Sequence, residues 1–159
     1  KFEDGSIYLG EITFVDNLNN LVLDRNKLSD DEIKKLKKVR HGNGVQLWGV
    51  EDLNCVCKYE GQWYKDKKHG KGKCEFSDKS MYEGDFVNDV FEGHGTFNWP
   101  NGDVYSGYWS NGRMDGDGEF KHNDGHILTG TFKNNYYFDV FIFNLERKVY
   151  QSFPIAGRG

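Results

Sequence analysis

Proline, methionine and cysteine are all scarce in this chain of 159 residues, which holds two, two and three of them. No apolar run approaches the roughly 20 residues that cross a bilayer as a helix, and no charged-then-apolar stretch resembles a signal peptide. Three cysteines (Cys55, Cys57 and Cys74) are an odd number without a secretory signal, so a reduced, cytoplasmic setting is expected. Positive charge is not in excess either. A formal net charge of -4 argues against a general nucleic-acid footprint, because duplex binding needs cations that displace counterions. Any basic contact must be local. Hydrophobic residues make up 36% of the chain, few for a thick two-layer core, and the expected object is thin or elongated.

What is abundant is glycine, at 20 residues, and aromatic side chains, at 16%. This mixture favours strands and tight turns. Tyr59, Tyr82, Tyr105 and Leu128 follow one another at steps of 23. Two residues after each stands a glycine (Gly61, Gly84, Gly107, Gly130), and four residues after each an aromatic (Trp63, Phe86, Trp109, Phe132). A second signature keeps the same step: Gly70-Lys71-Gly72, Gly93-His94-Gly95 and Gly116-Asp117-Gly118, followed by Cys74, Phe97 and Phe120. Repeats at such a period mark a stack of small units.

A spacing of two puts aromatic, glycine and aromatic on one face of an extended strand. Glu83, Asp85, His94, Thr96 and Asn98 fall on the other, polar face. Each unit thus reads as a β-hairpin with one aromatic face. Asp4-Gly5, Asn101-Gly102, Asn111-Gly112 and Asp124-Gly125 supply the chemistry of two-residue turns. A lone hairpin is marginal, whereas stacked hairpins form a continuous antiparallel meander. The glycines leave room for a ring from the adjoining strand to lie against the backbone. The Gly-x-Gly runs are not phosphate loops, since neither a helix nor Lys-Ser/Thr follows them.

At YEGQW...HGKG, YEGDF...GHG and YSGYW...GDG the sequence resembles the MORN (membrane occupation and recognition nexus) repeat family, clearly so over residues 59 to 132. The resemblance implies an all-β fold: an elongated, single-layer, twisted antiparallel sheet of stacked hairpins. It also implies a non-catalytic module that serves as a cytoskeletal or membrane-associated scaffold, often dimeric, or as an accessory segment of a larger enzyme such as a lipid kinase.

The whole of 1–159 is read as one such domain, with regular repeats at 59–81, 82–104 and 105–127, degenerate ones at 8–58 and 128–145, and a tail at 146–159. Tyr8-Leu9-Gly10 opens the first unit, but Gly42 lies one whole period further from Tyr8 than Gly70 lies from Tyr59. Residues 19 to 41 are therefore expected to hold the end of one degenerate unit and the start of another. A further five residues are assigned to a loop around Val50 to Val56. Within LSDDEIKKLKKVR, Ser29 and Glu32 form a capping box ahead of a short helix. Its lysines, Lys34, Lys35, Lys37 and Lys38, either complement the helix dipole or meet anionic phospholipid headgroups. Lys1 is not an initiator methionine, and Phe2 stands in the column of Phe76 and Trp99, so the chain is expected to be a piece of a longer array. At the far end Asp139 and Phe141 replace the expected glycines. Tyr136, Tyr137, Phe138, Phe141 and Phe143 form an apolar surface to be capped by residues 145 to 159 or paired with a second copy.

No catalytic constellation emerges. His41, His69 and His94 recur with the repeat, His122 and His126 flank a turn, and Cys55-x-Cys57 has only the distant Cys74 to complete a metal set. No cofactor, metal or enzymatic activity is expected. The candidate interaction groove is the rim of the aromatic face: Tyr59, Trp63, Tyr82, Phe86, Phe97, Trp99, Tyr105, Trp109 and Phe120. The expected partners are proteins, a second copy of the chain among them, or an anionic phospholipid surface. The expected place is the cytoplasm, at the cytoskeleton or the cytoplasmic face of a membrane.

Overall fold

The computed structural model describes residues 5–49, 56–138 and the pair 153–154. Lys1, Phe2 and Asp4, residues 50–55 of the expected loop, and Asp139, Phe141 and Phe143 with most of the tail lie outside them. The described residues form one antiparallel sheet in strict sequence order: β1 (Ile7–Val15), β2 (Lys37–Leu47), β3 (Val56–Tyr64), β4 (Lys67–Phe76), β5 (Met81–Val87), β6 (Val90–Asn98), β7 (Val104–Ser110), β8 (Arg113–Lys121), β9 (Ile127–Lys133), β10 (Tyr136–Phe138) and β11 (Phe153–Pro154). Neighbours in sequence are neighbours in space, as a periodic run of hairpins requires.

One row of residues sets the register. Gly10, Gly44, Gly61, Gly72, Gly84, Gly95, Gly107, Gly118 and Gly130 stand directly opposite one another from β1 to β9. Shifting any strand by one residue would break this row and turn its aromatics to the wrong face.

Within β5–β6 the reason for glycine is visible. The Tyr82 ring lies across its own hairpin, so that a Cβ on Gly95 would sit 2.5 Å from the ring and one on Gly84 2.7 Å from the hydroxyl. The ring that covers Gly95 thus comes from the adjoining strand, as expected, and that strand is the other half of the same hairpin. Its hydroxyl donates to the Asp85 carbonyl at 3.0 Å, and Tyr8, Tyr59 and Tyr105 repeat this bond to the residue three places on.

Hairpin tips and inter-hairpin turns differ. Lys65-Asp66, Asn88-Asp89, Asn111-Gly112 and Asn134-Asn135 are two-residue tips with positive φ at both positions, the geometry that matches strand twist. Of the turn pairs expected from the sequence, Asn111-Gly112 is of this kind, as is Asn88-Asp89 at the turn of the Tyr82 hairpin, while Asp4-Gly5 lies partly outside the described residues. Gly102 and Gly125 instead close longer connections, in which Gly102 N donates to Trp99 O and Gly125 N to His122 O.

The additional period in the first unit is not a pair of half-repeats. β1 pairs directly with β2, Tyr8 opposite Gln46 and Gly10 opposite Gly44, just as Tyr59 faces Cys74 and Gly61 faces Gly72. Ile12 faces Arg40 as Trp63 faces Lys68, so residues 14–38 occupy the place of one two-residue tip. The expectation for 19–41 is thereby corrected: the match to a full period is a coincidence of length. The insertion carries a 3-10 turn at Arg25–Lys27 and helix α1 at Asp30–Ile33, capped by Ser29 and Glu32 as the sequence indicates. The helix is shorter than expected. Lys37 and Lys38 belong to β2, because pairing with Val15 and Phe14 of β1 claims the backbone there.

Candidate functional site

Eight of the nine rings assigned to a groove are core. Tyr59, Trp63, Tyr82, Phe86, Phe97, Tyr105, Trp109 and Phe120 are each 5% exposed or less, joined by Cys74, Met114, Phe132 and Tyr137, and only Trp99 keeps a half-buried flank. No second sheet covers them among the described residues. They cover one another by a relay along the array, in which each tyrosine meets the aromatic of the following hairpin edge-on. Tyr8 lies 5.7 Å from Trp63, Tyr59 5.2 Å from Phe86, Tyr82 5.4 Å from Trp109 and Tyr105 4.8 Å from Phe132. Such edge-to-face pairs add to the area that each ring buries. Burial pushes the hydroxyls of Tyr59, Tyr82 and Tyr105 well above the ordinary tyrosine range, and the Cys74 thiol up to about 12, which leaves that thiol inert.

A polar side chain stands in one column of this core. Gln46 is 1% exposed in the column of Cys74, Phe97 and Phe120. Arg40 donates to its side-chain oxygen at 3.1 Å, lies over the Trp63 ring at 4.3 Å, and is held by the Asp66 carboxylate at 3.1 Å. Asp66 is also the tip residue of β3–β4. It accepts from Arg40 N at 2.8 Å and donates its own N–H to Arg40 O at 3.0 Å. The same latch recurs one period on at Asp89 with Lys68, and again at Asn135 with Met114. At Gly112 only the backbone half remains, and Glu92 accepts from Asn111 N instead. Sequence reading missed these latches, although Asp66, Asp89, Gly112 and Asn135 keep step with the repeat.

The outer face is the open one. Its side chains stand on either side of the glycine row, and between them lies a trough of about 710 Å³ over Gly61, Gly72, Gly84 and Gly95. Glu60, Lys73 and Glu83 wall one side, cross-strand neighbours of alternating sign; Lys71 and His94 wall the other. Lys71 pairs with Asp85 at 2.7 Å, and His94 meets Tyr108 edge-on at 5.6 Å. The row continues through Thr96, Ser106, Glu119 and Thr129. The trough escaped sequence reading, which treated Glu83 and His94 as solvated strand positions. The signal was the set of charged and polar residues that stand immediately beside the glycines on successive strands.

The other candidate surfaces are less continuous. Tyr136 is exposed and Tyr137 is buried against Phe132, while Phe138 stands on β10 opposite Thr131. The edge of β10 is taken by the chain itself, since Tyr136 faces Pro154 and Tyr137 faces Phe153. The four lysines do not share one helical face: Lys34 pairs with Asp31 at 3.3 Å just beyond α1, Lys35 borders a small apolar pocket, and Lys37 and Lys38 are consecutive strand residues that point to opposite faces.

Among curated proteins no relative matches the chain. Comparison with protein families matches the MORN repeat at residues 37–50, 59–81, 82–104 and 105–127, the first stretch being the β2 half of the interrupted hairpin and the others whole units. Together these stretches cover more than half of the chain, which belongs to the MORN repeat family.

Proposed function

We propose that this MORN array is a non-catalytic scaffold that holds protein partners along its outer face, in the cytoplasm at the cytoskeleton or a membrane. MORN arrays are repeat modules often involved in binding. The observation that carries the reading is the trough over the glycine row: open, charged on both walls, and crossed by strands about 4.8 Å apart, so that an extended segment lying along it meets a new side chain at each strand. The aromatic face offers little by comparison, because its rings are occupied with one another.

The test is proximity labelling in cells with the chain and with a Lys73→Ser, Glu83→Ser variant whose melting temperature matches it. Proteins labelled by the first and lost from the second support the outer face. An unchanged set of labelled proteins refutes it. Binding to anionic vesicles that is abolished when Lys34, Lys35, Lys37 and Lys38 become Glu would favour a lipid-binding module instead.

A further inference from the structure

The two rows that wall the trough run on across the sheet beyond it, and their charge comes in bands. Strand β4 is basic there, with Lys71 and Lys73 on either side of Gly72. From β5 to β8 the row on one side reads Glu83, Thr96, Ser106 and Glu119, each directly opposite the next. On the other side of the glycines stand Asp85, His94, Tyr108 and Asp117. Four carboxylates frame this stretch, and neither row holds a lysine or an arginine within it.

Two of the four are already engaged. Asp85 meets Lys71 Nζ at 2.7 Å and accepts from His94 N at 3.1 Å, and Asp117 accepts from Thr131 Oγ1 at 3.0 Å. Glu83 and Glu119 are exposed and make no ion pair or side-chain hydrogen bond among the described residues. Between them Thr96 and Ser106 share a hydrogen bond at 3.0 Å, a polar bridge without charge. Tyr108, 52% exposed, stands beside that bridge across the glycine row.

Glu83 and Glu119 are three strands apart, about 14 Å at the usual strand spacing. An extended chain advances about 3.4 Å per residue and returns a side chain to the same side at every second residue. Positions four apart therefore span the distance and face the same way. Steps of three or five residues turn the second side chain away, and an α-helix, rising about 1.5 Å per residue, covers only about 6 Å in four. Lys71 and Lys73 repel a further cation at β4. We infer, resting on the outer-face reading above, that the partner segment held there is an extended one with two arginines four residues apart, one paired with Glu83 and the other with Glu119. Arginine suits both ends because its planar fork meets a carboxylate through two parallel hydrogen bonds. The three residues between the arginines cross Thr96 and Ser106.

Fluorescence polarisation of the whole chain with labelled peptides, in about 0.05 M salt where exposed charges are less screened, tests the spacing. A peptide with Arg-Thr-Val-Thr-Arg between Gly-Ser arms should bind about fivefold more tightly than peptides of the same composition that carry Arg-Thr-Arg-Val-Thr or Arg-Thr-Val-Arg-Thr. Glu83→Gln and Glu119→Gln should each weaken that binding about fivefold and abolish the preference, with melting curves unchanged, while Asp31→Asn in the insertion should do neither. Glu119→Arg should shift the preference to Arg-Thr-Val-Thr-Glu. No binding, equal binding at all three spacings, or binding indifferent to both glutamines would overturn the arginine pairing. Loss of labelling from the Lys73→Ser, Glu83→Ser variant alongside any of these results would keep the outer face and reject its arginine partner; unchanged labelling would reject both.

Discussion

At the scale of the residue, the fold depends on what is left out of the backbone beneath each tyrosine. The Tyr82 ring cannot retreat from Gly95, because Phe91 stacks on it at 3.7 Å. Gly95→Ala therefore forces a methyl into a filled space and should cost about 2 kcal/mol, read as a melting temperature roughly 4–8 °C lower. His94→Ala, one residue away on the outer face, should change stability by less than about 0.5 kcal/mol. Equal melting curves for the two variants would refute this account of the glycines. The role of these residues was legible from spacing alone, since Tyr-x-Gly on one strand and Gly-x-Gly on the next share a face. Which rings stay open was not legible. Burial at Tyr59 or Trp109 comes from the relay of rings between hairpins, and that depends on how far each tyrosine leans, which no pattern of residue types encodes.

At the scale of the element, the period was readable wherever tip and turn keep their usual lengths. It misled where they do not, because the excess in the first unit has the length of a repeat without being one. The capping box fixed where α1 begins. Its end was set by tertiary pairing, as Phe14 and Val15 of β1 hold Lys38 and Lys37 in β2 and outweigh the local preference of the lysines. If the insertion is an excursion, replacing residues 14–38 with Asn-Gly should leave Thr13 and Val39 joined by a regular tip. The shortened chain should keep its β-sheet circular dichroism and melt cooperatively. Loss of cooperative melting would mean that the insertion is structural after all.

At the scale of the whole molecule, three regular hairpins each bury one tyrosine whose hydroxyl titrates well above its ordinary value because burial disfavours the anion. The sign follows from linkage. A proton held more tightly by the folded state contributes stability that is complete below the unfolded value near 10 and is lost as pH rises beyond it. Each tyrosine removes about 1.4 kcal/mol per pH unit in that range, about 4 kcal/mol for the three together. Thermal melts from pH 8 to 11.5 should show stability falling steeply above pH 10. Absorbance at 295 nm should show Tyr59, Tyr82 and Tyr105 silent until the sheet unfolds, out of nine tyrosines in all. Ionisation of all nine near pH 10 in a folded protein would contradict the burial. The same linear order gives the insertion a meaning for how the array could have grown. Each tip from Asp66 onward is employed in holding the unit before it, so added sequence there would break a joint, whereas in the first hairpin Asp16 turns back on its own loop to accept from Leu18 N and Asn20 N. Novelty can accumulate at that address without disturbing the repeats behind it, and that is where the chain carries its long non-repeating stretch between β1 and β2.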